Sequence, residues 1–296
     1  MADKILITGG AGFIGSHLAE ALVNKGNDVI VVDNLSRGHC ENLNSIIDKI
    51  NFVNGDITDH ELIRDLIRSS DTVFHLAALS RVIPSIDDPE LCFKSNIEGT
   101  EIIARSCARY GKRLIFSSSR EVYGTANYIP VDEEHPLNPE NPYGTSKLAG
   151  EKIIESYSKC YHLRYAILRL ANVYGDRDFD RVIPIFIKNS LNNKDLIIYG
   201  GQQILDFVYI TDVIEAFLKA FVNQENLKVN IGSGKGTTLL ELANMIKYLT
   251  KNKGKITIQD KRTGEVEKFV SKINKSHEIL NWNPEFSLEE GIKRLL

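Results

Sequence analysis

Tyr143 and Lys147 stand four apart in Pro142-Tyr143-Gly144-Thr145-Ser146-Lys147, and Asn141-Pro142 predicts a helix N-cap and first turn there. At that spacing both side chains lie on one helical face. An ammonium beside a phenol favours the phenolate, so Tyr143 can act as a base below its ordinary pKa of about 10. Ser117-Ser118-Ser119 comes one loop earlier and ends an apolar run from Arg113, where the Ser119 hydroxyl can hold a substrate oxygen near the phenol. Such a set suits proton removal from an alcohol, which is productive only if something takes the hydride.

The N-terminus supplies that acceptor's site. Lys4 to Thr8 reads as a short buried strand, followed by Gly9-Gly10-Ala11-Gly12-Phe13-Ile14-Gly15 and a helix to about Lys25. Asp28 to Val32 reads as the next strand, and Asp33 ends it 18 residues after Gly15. Gly9 and Gly12 let the turn close on a pyrophosphate, Gly15 lets helix pack on strand, and the helix N-terminus faces the negative charge. Asp33 accepts from the adenosine ribose and repels a 2′-phosphate, which selects NAD over NADP. Asp56, in Gly55-Asp56-Ile57, is either an adenine contact or a turn aspartate. His75, in an apolar strand, reads as a satisfied core histidine.

The elements that must position these groups follow from the remaining pattern. The chain has 296 residues, 43% hydrophobic, enough for one large or two modest domains. Its net charge of −3 and the lack of any basic run beyond a pair argue against nucleic acid as partner. The four cysteines have no CxxC or metal spacing and read as reduced, mostly buried thiols. No apolar run reaches membrane-spanning length, so a soluble cytoplasmic protein is expected. Strands near Phe52-Val53, Thr72 to Leu76, Arg113 to Phe116 and Arg164 to Leu170 alternate with helices from Thr58, from Asp88-Pro89 to Tyr110, and from Tyr143 to about Cys160. Capping boxes are predicted at Thr58…Glu61, Thr238…Glu241 and Ser287…Glu290. The fold class is α/β, a doubly wound parallel sheet with a smaller discontinuous C-terminal lobe. The expected division is 1–175 plus about 206–233 for the NAD-binding (Rossmann) domain, and 176–205 with 234–296 for the substrate lobe. Phe207 to Ile210 and Val229 to Ile231 are both expected to return to the large sheet.

Over its whole length the sequence resembles the extended short-chain dehydrogenase/reductase family, specifically its NAD-dependent nucleotide-sugar epimerases and dehydratases. The resemblance rests on Thr8 to Gly15, Asp33-Asn34-Leu35-Ser36, Gly55-Asp56-Ile57, His75 to Ala78, Asn96 with Gly99-Thr100, Ser117 to Ser119 before Val122-Tyr123-Gly124, Tyr143 with Lys147, Arg169 to Gly175, Asp206-Phe207, Asn230 to Gly232 and Arg262 to Glu265. It implies that Tyr143 is the base, Ser119 its partner on the sugar hydroxyl, and Lys147 the ligand of the nicotinamide ribose. The cofactor set expected is Gly9, Gly12, Phe13, Ile14, Gly15, Asp33, Asn34, Asp56, Ile57, Leu76, Ala77, Ala78, Asn96, Ser117, Tyr143 and Lys147. The substrate set is Ser80, Ser119, Arg120, Asn172, Val182 and Arg262, with Asn172 and Arg262 on the diphosphate; no metal is expected. The family also implies a homodimer through a four-helix bundle of the Tyr143 helix and the one from Pro89 to Tyr110.

Three places depart from the family. Leu205 replaces an arginine before Asp206-Phe207, leaving Arg177 and Arg181 as diphosphate candidates. Arg120 stands where 4,6-dehydratases carry a proton-donating aspartate, and an arginine cannot give up that proton at neutral pH. Glu121 is shared with uronate decarboxylases and is either catalytic there or an ion partner of Arg120. The expectation is an NDP-sugar 4-epimerase of the UDP-glucose/UDP-galactose kind with NAD retained. The alternatives are a UDP-uronate decarboxylase or uronate 4-epimerase using Glu121 and Arg120, and a non-catalytic NAD-binding protein. Arg81 and Arg120 serve a sugar carboxylate if they turn into the cleft, and leave a neutral hexose as the better reading if they pair with acids such as Asp87, Asp88 or Glu121.

Overall fold

The computed structural model describes residues 2–296. Strands β1 (Lys4–Thr8), β2 (Asp28–Asp33), β3 (Ile50–Asn54), β4 (Thr72–His75), β5 (Arg113–Ser119) and β6 (Tyr165–Leu170) are interleaved with helices α1 (Phe13–Asn24), α2 (His60–Arg68), α3 (Val82–Asp87), α4 (Pro89–Phe93), α5 (Gly99–Tyr110) and α6 (Pro142–Tyr161). Then come β7 (Asn172–Tyr174), α7 (Val182–Leu191), β8 (Leu196–Tyr199), β9 (Ile204–Tyr209), α8 (Ile210–Val222), β10 (Leu227–Ile231), β11 (Gly236–Thr238), α9 (Leu239–Thr250), β12 (Ile256–Gln259), α10 (Asn274–Leu280) and α11 (Leu288–Leu295).

Seven strands form one sheet in the order β10-β6-β5-β4-β1-β2-β3, and every pairing in it is parallel. Parallel crossovers place helices on both faces, which is why strands such as Lys4–Thr8 are apolar throughout. Alternate residues feed two cores. Ile5, Ile7, Val29 and Val31 pack with Leu18 and Leu22 of α1 and Phe217 of α8. Leu6, Ile30 and Val32 pack with Ile63 of α2, Ile102 and Ile103 of α5 and Ile154 of α6. The strand order reverses between β1 and β4, so the carboxyl ends of β1, β2, β4 and β5 open into one crevice. The doubly wound sheet read from the alternation is therefore present.

Several local expectations change. Thr58 does not cap α2; Asp59 does, accepting from Glu61 and Leu62 N–H, because Thr58 is drawn back onto Asp56. The boxes at Thr238 and Ser287 form as expected. The helix expected from Pro89 to Tyr110 runs its full length as α4, a π-helical turn at Lys94–Glu98, and α5. At Gly99 a Cβ would stand 2.5 Å from Ile57 Cδ1, so a larger residue there would push the Ile57 side chain aside. The expected return of Phe207 to the large sheet does not occur. β9 lies between β7 and β11 in a separate three-stranded sheet, and β8 pairs with β12; only β10 rejoins the large sheet, beside β6. Asp206 holds that small sheet to the chain around it, accepting from the N–H groups of Ser233, Gly234 and Ser271 and from the Ser233 hydroxyl. His75 is the core histidine expected, bonded between the Thr8 and Thr100 hydroxyls at 2.8 and 2.9 Å.

Candidate active site

Asn141 caps α6 by accepting from Gly144 N–H, and the helix then runs twenty residues, carrying Tyr143 and Lys147 past the ends of β5 and β6. Lys147 is buried. Its Nζ donates to the Ser117 carbonyl at 2.8 Å and sits over the Phe116 ring, 6.0 Å from the centre of the Tyr143 ring. Burial raises the Tyr143 pKa to about 12; a hydrogen bond with Ser119 and the charge of Arg181 pull it down, and Glu121 pushes it up. Burial brings Lys147 itself down to about 8, opposed by Cys92 and Glu151.

Glu121 and Arg120 follow Ser119 in a single 3₁₀ turn, and the Ser119 hydroxyl accepts from Glu121 N–H at 3.2 Å. Both carboxylate oxygens of buried Glu121 are engaged: one by Arg120 Nη2 at 2.9 Å, the other by Asn141 Nδ2 at 2.9 Å. In this arrangement it is an ion partner of Arg120 and a brace on the α6 cap. Arg120 also donates to Asn172 Oδ1 at 3.3 Å and lies against Phe269, while its third nitrogen is covered by protein. Two of the three Arg120 nitrogens are thus engaged, and Nη1 is left buried without a partner among the described residues. Asn172 spends its amide on Asp206 O as well.

At the other end, α1 begins on Gly12 with no side-chain cap and no acid in its first turn, leaving its leading N–H groups for an outside anion. Gly9 has φ +70°, and a Cβ there would stand 2.7 Å from Ala77 N; at Gly15 it would stand 2.2 Å from Gly9 O. The turn therefore exists only with glycines, and Phe13 and Ile14 follow it half-buried against the core. Asp33 accepts from Ala11 and Leu35 N–H at 3.0 and 2.8 Å, and burial, opposed by these bonds, raises its pKa. Asn34 and Thr58 hold Asp56 as a turn aspartate, with Ile57 buried behind it. Leu76 and Ala77 bond back to Thr8, and Ala78 and Ser80 lead half-buried toward Arg81. An uncapped helix start, a glycine cradle and a buried acid at the next strand end together fit a dinucleotide. Asn96 does not belong with them. Its amide is spent on both backbone groups of Leu79 and on the Ser146 hydroxyl, so it ties the β4 loop to α6 instead of facing a ligand.

The mouth of the crevice is crossed by residues 176–181. Asp176 meets His17, Arg177 grips both oxygens of Glu20 at 2.8 Å, and Asp180 takes Arg37 at 2.9 Å and also pairs with Arg81. Buried Asp178 lies 3.7 Å from Arg81 and 3.4 Å from Arg181, whose guanidinium covers the Phe13 ring. Burial and the neighbouring Arg181 bring Arg81 down to about 9. Arg81 therefore turns onto acids, though not onto Asp87 or Asp88. Arg177, a diphosphate candidate, is held by α1, whereas Arg181 stays beside the glycine turn. Arg262 stacks on Tyr199 at 3.7 Å and remains half-exposed, and Val182 opens α7. The large polar residues missed by sequence reading are Glu151 and Arg169, a fully buried pair behind Lys147. The available signal was the spacing 143, 147, 151 along one helical stripe.

A crevice that takes a dinucleotide at one end and presents Ser119, Tyr143 and Lys147 at the other defines a dinucleotide-dependent enzyme working on an alcohol. Residues 5–232 match the model of the NAD dependent epimerase/dehydratase family, and the chain belongs to that family. A protein of Methanocaldococcus jannaschii provisionally named UDP-glucose 4-epimerase is 43% identical over 300 residues, covering 99% of this chain and 97% of its own. The structure of a UDP-glucose 4-epimerase with UDP-glucose from Thermotoga maritima superposes with a TM-score of 0.94 at 38% identity, covering 98% of this chain and 96% of its own. UDP-glucuronic acid decarboxylase 1 of Arabidopsis thaliana is 30% identical, covering 99% of this chain and 69% of its own. The expectations of an NAD-dependent epimerase family, of NAD as cofactor and of an enzyme are borne out. Among the described residues no helix is long and apolar enough to cross a membrane.

Proposed function

We propose that the protein interconverts UDP-hexoses by epimerisation at C4, with UDP-glucose and UDP-galactose as the pair. The observation that carries this reading is the placing of Ser119 at the end of β5 beside the α6 turn that bears Tyr143 and Lys147, with Lys147 bonded to the Ser117 carbonyl, while Arg120 and Glu121 pair next to them. Tyr143 takes the proton of the C4 hydroxyl and returns it to the same oxygen once the 4-keto sugar has turned over, so that C4 regains its hydride on the other face. Ser119 steadies that oxygen and favours the phenolate by its hydrogen bond. Lys147 fixes the cofactor's ribose and keeps a positive charge near the phenol. NAD, when bound, supplies the acceptor and donor of the C4 hydride. Asn172, Val182 and Arg262 form the nucleotide side, with Arg181 rather than Arg177 serving the diphosphate in place of an arginine at Leu205.

A decarboxylase needs a carboxylate-binding cation and a free acid. Glu121 has both oxygens engaged, which favours the neutral sugar, while Arg81 and Arg120 pair with acids and each keep one buried nitrogen without a partner among the described residues. The division into an NAD unit, 1–175 with about 206–233, and a nucleotide-sugar lobe, 176–205 with 234–296, belongs to the same proposal, with β9 reassigned to the lobe's small sheet. So does a homodimer through α4, α5 and α6, supported by Leu91 and Phe93, which are 50% and 38% exposed on α4; sedimentation tests it. The activity is tested by incubating the purified protein with UDP-glucose, UDP-N-acetylglucosamine and UDP-glucuronate, and reading products by NMR and mass. Conversion of UDP-glucose to UDP-galactose at unchanged mass is expected. Turnover confined to UDP-glucuronate, with or without loss of CO₂, would overturn the reading.

A further inference from the structure

Glu151 and Arg169 form a charged pair that the reaction does not touch. Glu151 lies on α6 one turn beyond Lys147 and two beyond Tyr143, on the same inward stripe. Both side chains are 0% exposed. Glu151 Oε1 accepts from the Ser118 hydroxyl at 2.5 Å and from Arg169 Nε at 2.9 Å, and Oε2 accepts from Arg169 Nη2 at 2.6 Å. Arg169 Nη1 donates to the Tyr123 hydroxyl at 2.7 Å, which donates to Asn230 Oδ1 at 2.7 Å. The chain of bonds starts on the helix that carries the base. It passes through the residue before Ser119 and ends in the segment after Glu121 and on β10. Dehydrating two ions is unfavourable enough that apolar residues of equal volume often stabilise a fold as well or better. What such residues cannot supply is a fixed hydrogen-bond geometry and a fixed charge.

We propose that Glu151, with Arg169 as counter-ion, is a positioning residue of the reaction: it locks the register of α6 against Ser118-Ser119 and keeps a negative charge one turn from the Lys147 ammonium. This rests on Ser119, Tyr143 and Lys147 being the reacting set. The titratable groups around Lys147 are Tyr143 and Glu151 on its own helix, Cys92 on α4 and His75 on β4, with Arg169 behind on β6. Glu151 works to keep Lys147 charged against burial, while burial holds His75 neutral and raises the pKa of the Cys92 thiol. With Glu151 made neutral, Arg169 is left as an uncompensated cation behind the lysine, and the ammonium loses its proton at lower pH.

The test compares the full-length NAD-loaded protein with Glu151→Gln, Glu151→Asp and the double variant Glu151→Leu/Arg169→Met, which leaves no orphan charge. Glu151→Gln is expected to lower kcat at least about tenfold with KM changed less than about threefold, the pattern of a lost transition-state contribution. The alkaline limb of kcat and the Lys147 titration followed by lysine side-chain NMR should both move to lower pH. Glu151→Asp should recover part of each. The double variant should fold, hold NAD and remain slow. Wild-type kcat with an unshifted lysine titration, in either Glu151→Gln or the double variant, would overturn the proposal. So would unfolding of both, which would make the pair purely structural. Should the wild type turn over no UDP-sugar, the epimerase reading fails on its own, while the NMR titration still decides whether Glu151 holds the charge of Lys147.

Discussion

Two ionic networks flank the reacting residues, and they are built in opposite ways. Glu151, Arg169, Tyr123 and Asn230 are sealed inside the protein and joined end to end by bonds of 2.6 to 2.9 Å. The cluster at the mouth joins more charges, yet Asp180 and Arg37 are 58% and 41% exposed, and buried Arg81 Nε and Asp178 Oδ2 find no partner among the described residues. A dry network gains its strength from low dielectric and full satisfaction, and it has one arrangement. A wet one is screened and can exchange partners. The same residue types thus give rigidity behind the base and adaptability at the entrance.

Breaking the dry network should produce the largest effect. Arg169→Met leaves Glu151 buried without its cation, and a loss of about 3–5 kcal/mol is expected in urea unfolding. A loss below about 1 kcal/mol would mean that water reaches Glu151 and that the two networks do not differ in kind.

Next comes the pH dependence of the cofactor-free protein. Lys147 falls to about 8 from 10.5, so between these values the unfolded chain binds a proton that the native lysine does not. Stability from this group is therefore lowest below pH 8 and rises with pH through that window. Tyr143 runs opposite, with its pKa raised from 10 to about 12, so its contribution falls only above pH 10. Thermal unfolding at pH 8 and pH 10 should show the gain, and Lys147→Met should lose it; equal slopes would place Lys147 in contact with solvent.

Asp33 is an intermediate case, a buried acid held by N–H groups rather than by a cation. Asp33→Asn keeps the shape, so NAD affinity should fall on the order of tenfold and discrimination against NADP should relax. Calorimetric titration with both cofactors checks this; equal losses would make Asp33 a turn residue only.

The smallest change is expected from Asp180→Asn at the mouth, below about 1 kcal/mol in stability, with an effect on KM that fades as salt is added. A salt-independent loss would show the mouth to be as rigid as the pair behind Lys147.

Much of this was legible in the residues alone. Glycines at 9, 12 and 15 with an acid ending the next strand, and a tyrosine and lysine four apart after Asn-Pro, are local patterns, and each depends only on turn, cap and helix geometry. The same holds for the alternation that predicts the doubly wound sheet. Contacts between distant segments were not legible. Glu151 shares the stripe of Tyr143 and Lys147, but its partners Ser118 and Arg169 come only from the closing of β5 and β6 over it. Asn96 reads as a ligand until Leu79 and Ser146 use its amide. β9 reads as a return to the large sheet until β7 and β11 take both its edges. Local periodicity determines which element forms and which face is apolar; which polar atom meets which partner is decided only when packing removes water and leaves one arrangement that satisfies them all.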